Sequence, residues 1–452
     1  MNSAFLNNLQ AYTDQLCKEY QLPGITVAIK SKGELFTAAS GVLNLDTQLK
    51  STPDSAFQIG SITKVFTTTL IMQLVDKGRI ELDRPVIDYL ADFKVASDYA
   101  THHITVRQLL NHTSGLEGDF FAPDKPSGGN HLARYIDRCD LLPQSHEPGT
   151  GFAYSNSAFC IAGRLLEVVT GKSWYSLIKQ NIVEPLGLKR AVVDGSESSR
   201  YRVARGHLSG QAGQLWQVAH DGFPRGMDPV GSSLAMSASD LVRFAQAHID
   251  ASEGVNTQWL GQAVSQAMQT PEVSLPPLSP SYVTDWGLGW SLYGGDQLPV
   301  YGHDGGTVGQ CAMLRVVPEH DLIFAVMINC DVYMTLMHKL FTELMLSLAG
   351  IEYVEANPAD IDLDLDNYCG DYHSMGQEHH VYLEQGVLKC RVVIKTAGND
   401  LLDFVLKPIN HDCFAVFMEG GERSFNMHFL FDKDASTPHH LFAFNRLNQR
   451  VA

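Results

Sequence analysis

The period of apolar and polar positions changes several times along this chain, and each change marks an element. Residues 1–20 place Phe5, Leu6, Leu9, Tyr12 and Leu16 at helical spacing, which predicts a helix with one apolar face. Residues 24–29 (GITVAI) and 35–39 (LFTAA) are short apolar runs on either side of a turn at 30–33, which predicts paired strands. From Gly60 the spacing becomes helical: Val65, Leu70, Leu74 and Val75 are apolar, and Lys77-Gly78 closes the segment. Loops and helices continue to about residue 250, and a Pro- and Ser-rich stretch at 271–280 predicts an irregular connection. Strand-like runs at 288–292, 311–317 and 322–328 follow, then a helix over 333–348. Strands at both ends of this region with helices between predict one sheet built from both ends and flanked by helices, an α/β (α+β) architecture.

Residues 355–360 (EANPAD) have the composition of a linker. Beyond them, 368–446 alternates in short runs with turn signals at Gly376, 384–386 and 419–421, which predicts a small antiparallel barrel or sandwich. Two domains are therefore expected, 1–354 and 361–452. No internal repeat is evident.

Composition narrows the function. A net charge of -17, with no basic run to offset it locally, argues against a nucleic-acid partner. No stretch approaches about 18 consecutive apolar residues, so no membrane span is expected. The first 20 residues lack a basic start followed by an unbroken apolar run, the pattern of an export signal. Eight scattered cysteines without a CxxC pair then read as reduced thiols, and cytoplasmic residence is the expectation.

Three stretches carry candidate chemistry. The first is Gly60-Ser61-Ile62-Thr63-Lys64, opening an apolar helix. Ser61 has the residue type of a helix cap, but a capping box wants Glu or Gln where Lys64 stands, and a lysine at a helix N-terminus faces the positive end of the dipole. A lysine held near positive potential and partly buried loses its proton easily, and a neutral amine one turn from a hydroxyl can accept that hydroxyl's proton. The same Ser-x-x-Lys spacing recurs at Ser176–Lys179, inside a helical pattern with no loop before it.

The second stretch is Tyr154-Ser155-Asn156, after the loop Glu147-Pro148-Gly149-Thr150-Gly151 and before a helix over 158–170 that Gly171 stops. A tyrosine whose pKa a neighbouring lysine lowers can relay a proton; the plainer reading is that Ser155 or Asn156 caps the helix and Tyr154 packs. The third is Tyr301-Gly302-His303-Asp304-Gly305-Gly306, placed immediately before an apolar strand. Such dense glycine lets a substrate backbone lie close, with the Gly306 N–H beside that of Ser61 as an oxyanion donor. Its plainer reading is a hairpin turn with a surface histidine.

In the order Ser-x-x-Lys, Tyr-x-Asn, His-x-Gly, these stretches resemble the serine β-lactamase and penicillin-binding-protein superfamily, nearest its class C β-lactamase-like branch. Phe57–Gly60, the run 104–116 (ITVRQLLNHTSGL) and 237–241 (SASDL) extend the resemblance over about residues 10–350. That branch includes esterases, D-amino-acid peptidases and peptide-cyclising thioesterases. The resemblance implies a β-lactamase/transpeptidase-like antiparallel sheet, with Ser61 as acylated nucleophile, Lys64 as its proton acceptor and Tyr154 as general base or acid. Asn156 would bind the acyl portion, with Gly305 and Gly306 beside it in the substrate site. His303 would stand where β-lactamases of this kind carry the lysine of Lys-Thr-Gly. Loss of that fixed charge disfavours β-lactam hydrolysis and favours esters, amides or peptides. The C-terminal segment resembles the small lipocalin-like barrels of D-aminopeptidase-like and peptide-cyclising relatives, chiefly through 368–372 (YCGDY).

The expected activity is hydrolysis of an ester, or of an amide or peptide bond near a D-residue, through an acyl-enzyme on a small-molecule or peptide substrate. Transfer of the same acyl group to an amine, weak β-lactamase activity and a catalytically silent ligand sensor are the alternatives. No cofactor or metal is expected, because adjacent pairs such as His102-His103, His379-His380 and His439-His440 face opposite sides of a strand and no His-Glu-x-x-His occurs.

Overall fold

The computed structural model describes residues 3–121, 130–209, 214–219, 222–276, 282–294, 299–331, 333–395, 400–418, 421 and 423–451. Parts of two expected features, the 271–280 connection and the 419–421 turn, lie outside these residues.

The predicted first strand pair is longer than its apolar cores. Strands β1 (Gly24–Ser31) and β2 (Glu34–Asn44) pair from Ser31↔Glu34, so the turn shrinks to Lys32-Gly33, both at positive φ. β3 (Leu49–Lys50) continues on this edge. The returning segment supplies β4 (Val273–Ser274), β5 (Val283–Trp286), β6 (Ser291–Tyr293), β7 (Val300–Thr307), β8 (Gln310–Val317) and β9 (Leu322–Ile328). All join one nine-stranded antiparallel sheet in the order β3-β2-β1-β9-β8-β7-β6-β5-β4. The two ends of the region thus meet at β1–β9, where Ile25 faces Ile328 and Ser31 faces Leu322.

Helices cover both faces of this sheet, which explains why β8 and β9 are buried throughout rather than alternating. Ala28, Leu314 and Ala325 pack into one core with α2 (Thr63–Asp76), α3 (Asn156–Thr170) and α4 (Ala238–Ser252). Their strand neighbours Val27, Met313 and Val326 pack into a second core with α1 (Leu9–Glu19) and α5 (Tyr333–Leu344). The expected helix over 1–20 is broken at Asn8 into a short turn (Ser3–Asn7) and α1. Among the described residues no helix is long and apolar enough to cross a membrane.

The C-terminal eight strands close into an antiparallel barrel: β10 (Gly370–His373), β11 (Gln377–Glu384), β12 (Val387–Ile394), β13 (Asp400–Pro408), β14 (Cys413–Met418), β15 (Arg423–Leu430), β16 (His440–Ala443) and β17 (Arg446–Val451). β17 pairs with β10 to complete the ring. Side chains fill the interior, with Tyr372, Val392, Phe414, Met427, Phe429 and Leu441 all at 0 % exposure. The connecting segment is pinned: Glu355 bridges His338 on α5 at 3.0 Å and Arg423 on β15 at 3.0 Å.

Candidate active site

Backbone contact builds the site. Gly60 takes the left-handed region at φ 51°, turning the chain into a single 3-10 turn (Gly60–Ile62) that leads into α2. A Cβ on Gly60 would lie 2.5 Å from the Gly306 nitrogen, and one on Gly305 would lie 1.9 Å from the Ile59 oxygen. Only glycines let β7 and the serine turn meet this closely. The stretch 301–306 is therefore itself strand, inside β7, rather than the lead-in to one; its glycines hid it from a propensity reading.

Ser61 caps nothing, since α2 starts without a side-chain cap. Its Oγ lies 3.0 Å from Lys64 Nζ, which also donates to the Val230 carbonyl at 3.2 Å. Lys64 is fully buried, and burial drives its amine well below the ordinary lysine value; the nearby charge of Arg446 adds to the shift. The second Ser-x-x-Lys is a different environment: Lys179 lies at the surface in an ion pair with Glu197.

Tyr154 is buried at 8 % exposure and carries Lys64 Nζ 4.8 Å from its ring centroid. A lysine-lowered tyrosine pKa is corrected here. Burial raises the phenol's pKa, and the Ser61 hydroxyl and Arg446 offset only part of that rise. An amine that has itself lost its charge offers no field to lower its neighbour's pKa. Ser155 is the helix cap, accepting from Ala158 N–H at 3.1 Å, which frees Asn156 to line the cavity. The Ser155 N–H in turn donates to His112 Nδ1 at 3.0 Å, and the His112 ring lies 4.3 Å from that of Tyr154. His112 fixes the Tyr154 strand of the loop. It sits within the 104–116 resemblance, but its type alone gave it no role.

His303 is no surface residue. It is 3 % exposed, and its Nδ1 donates to the Asp304 carbonyl at 2.5 Å, leaving Nε2 as the acceptor nitrogen with no hydrogen-bond partner among the described residues. Burial pushes its pKa down to about 3, so the imidazole is neutral. Asp304 projects from the opposite face of β7 and is held by Arg315 Nη1 and Nη2 at 2.7 and 3.0 Å. The Arg315 guanidinium stacks 4.2 Å from Tyr293 and 4.8 Å from Phe341.

The barrel forms the remaining wall, which sequence reasoning missed. Phe444 and Asn445, at φ 50° and 60°, make a two-residue turn between β16 and β17. The Asn445 carbonyl accepts the Tyr154 N–H at 2.9 Å. Arg446 forms a two-point ion pair with Asp119 (Nε–Oδ2 3.0 Å, Nη2–Oδ1 2.7 Å) and places its guanidinium carbon 5.0 Å from the Tyr154 ring centroid. The resulting cavity, about 380 Å³, is lined by Ser61, Tyr154, Asn156, His303 and Gly306 on one side and Phe444, Asn445 and Arg446 on the other. Among the described residues no three His, Cys, Asp or Glu side chains cluster as metal ligands.

This geometry fits the sequence comparisons. The beta-lactamase family model matches residues 9–346. The chain belongs to the beta-lactamase family. Penicillin-binding protein 4 of Amycolatopsis lactamdurans is 38% identical over 369 residues, covering 80% of this chain and 96% of that protein. The crystal structure of SurE superposes with a TM-score of 0.80 at 26% identity, over 99% of both chains, so it spans the barrel as well. D-amino acid amidase from Ochrobactrum anthropi SV3 superposes with a TM-score of 0.59 at 25% identity over 72% of this chain and 91% of its own. This member of the beta-lactamase family is a serine hydrolase by type, as its family and neighbours indicate.

Proposed function

We propose that the protein cleaves an ester, or an amide or peptide bond beside a D-residue, through an acyl-enzyme on Ser61. The observation that carries this reading is the 3.0 Å approach of Ser61 Oγ to a buried, readily discharged Lys64 amine. As Oγ attacks the substrate carbonyl carbon, Lys64 accepts its proton, and the Ser61 and Gly306 N–H groups receive the developing oxyanion. Tyr154 passes a proton to the departing alcohol or amine, and the C–O or C–N bond breaks to leave the acyl-enzyme. Water then attacks the ester on Ser61, with the same two groups moving its protons in reverse. Asn156 binds the acyl portion, and Gly306, with open space where a Cβ would stand, lets it lie along β7; Gly305, expected in the substrate site, serves the contact with the serine turn instead. Amide substrates gain support from the likeness to D-amino acid amidase, and the neutral His303 supports substrates that need no fixed cation at that position.

Transfer of the acyl group to an amine is the second reading, favoured by the barrel turn, whose Phe444, Asn445 and Arg446 line the cavity and offer an acceptor further groups to bind. In this reading residues 1–354 are the hydrolase domain and 361–452 the barrel domain. Eight cysteines outside any disulfide, six of them buried, support cytoplasmic residence.

The test is a panel of p-nitrophenyl esters, D- and L-amino acid amides, D-Ala-D-Ala peptides and nitrocefin, followed by intact-protein mass spectrometry. Turnover with an acyl increment on Ser61, and loss of at least about four orders of magnitude in Ser61→Ala, is expected. A panel as inert as the Ser61→Ala control would favour a ligand sensor.

A further inference from the structure

We infer that Arg446, delivered by the barrel turn, supplies the active-site positive charge absent at position 303 and holds Lys64 in the amine form that accepts the Ser61 proton. It is a positioning residue, and its role rests on the reading of Ser61 and Lys64 given above. The argument starts from one aromatic ring. Tyr154 has the Lys64 nitrogen 4.8 Å and the Arg446 guanidinium carbon 5.0 Å from its centroid, so no more than about 10 Å separates the two cations. Two charges that close in a buried site repel, and the group that yields is the lysine, because a guanidinium does not deprotonate in proteins.

Among the described residues no other charged group facing Lys64 adds to the effect of burial. His112 and His303 are both neutral by burial. Cys160, on α3, is a buried thiol pushed up to about 12. Asp228, which precedes the Val230 carbonyl that Lys64 contacts, is bonded to Tyr175. Asp304 is engaged by Arg315, and Asp119 by Arg446 itself. Asp119 favours the charged lysine, Arg446 disfavours it, and the Arg446 contribution is the larger. The same guanidinium stabilises negative charge on the Tyr154 oxygen when that residue gives up its proton. The barrel therefore does more than cover the cleft: its seating adds to the burial that discharges the base.

The experiment follows the rate of Ser61 phosphonylation by a fluorophosphonate between pH 5 and 10, read by intact mass. The Oγ–P bond forms, the P–F bond breaks, and fluoride departs with no need of the natural substrate. The rate should rise with pH as Lys64 discharges. In Arg446→Met the midpoint moves up by about one pH unit, in Arg446→Lys it stays near that of the parent, and in Asp119→Asn it moves down by a smaller amount. Opposite displacements from the two members of one ion pair are not produced by loosened packing, which would lower the rate in both at unchanged midpoint. Superimposable midpoints, or displacements in the same direction, overturn the inference while leaving the hydrolase reading intact. Absence of labelling in the parent, at a pH where the protein is folded, overturns both.

Discussion

The sheet region and the barrel both bury polar groups, but they place them differently. Around Ser61 the sheet region encloses Lys64, His112 and His303 at 0–3 % exposure, and the outer ring nitrogens of both histidines are left without partners among the described residues. Inside the barrel, His379 bonds Gln377 at 3.1 Å and Asn448 donates to the Leu441 carbonyl at 3.1 Å, while aromatic and aliphatic side chains fill the rest. Both regions leave buried polar atoms without partners among the described residues, Asn448 Oδ1 and Ser374 Oγ in the barrel included; the sheet region gathers His112 Nε2 and His303 Nε2 around Tyr154 at the cavity, whereas the barrel sends a charge out through a turn. Burial displaces pKa values in both regions, as His303 and His379 show, but the sheet region sets such groups beside the Ser61 hydroxyl at a cavity. The barrel needs only a stable frame to aim Arg446.

The comparison breaks first at the glycines. Gly305→Ala places a methyl 1.9 Å from the Ile59 oxygen and must push β7 off the serine turn, carrying the Gly306 N–H with it. We expect kcat/KM to fall by about 10²–10³, the cost of one oxyanion donor, with a lower Tm. Unchanged kinetics would mean that the backbone contact does not set the donor.

Acid stability sharpens it next. His248 and His303 in the sheet region and His379 in the barrel are all pushed by burial to about 3. Between roughly pH 6.5 and 3 the unfolded chain binds protons that the fold refuses, so the stabilisation is full above 6.5 and is lost as pH falls through that window. Each group contributes up to about 1.4 kcal/mol per pH unit. His248→Gln, far from Ser61 chemistry, should reduce the difference in unfolding free energy between pH 7 and 5 by about 1–2 kcal/mol in urea titrations. An unchanged difference would show that this imidazole titrates normally.

The smallest effect concerns the turn. Asn445→Val forces a β-branched residue into φ 60°, a strain of about 1–2 kcal/mol, whereas Asn445→Gly relieves it. We expect about a tenfold loss of kcat/KM in the first and near-parent activity in the second. Equal activities would detach the turn's geometry from catalysis.

Much of the sheet region was legible in the sequence. The runs 311–317 and 322–328 became β8 and β9 almost residue for residue, since strands buried on both faces read as near-continuous apolar stretches, interrupted in β8 by Arg315. Ser61, Lys64, Tyr154, Asn156, His303 and Gly306 were named from three motifs, and they line or adjoin one cavity. β7 was not legible, because Gly302, Gly305 and Gly306 are chosen for backbone approach and erase the strand pattern. Asp119 and Arg446 were invisible for another reason. They are 327 positions apart, and nothing local to either predicts a partner. The barrel announced its alternation and its turns at Gly376 and 384–386, but which turn would face the cleft is a property of docking.

The two-residue length of the Phe444-Asn445 turn gives the molecule a modular rim. Its strands are locked in a closed ring whose interior is solid, so substitutions at the tip have little scaffold to disturb. A designer can reshape what the mouth admits by editing a handful of codons there, but every edit is also felt at Tyr154, which the same turn touches through Asn445 and Arg446.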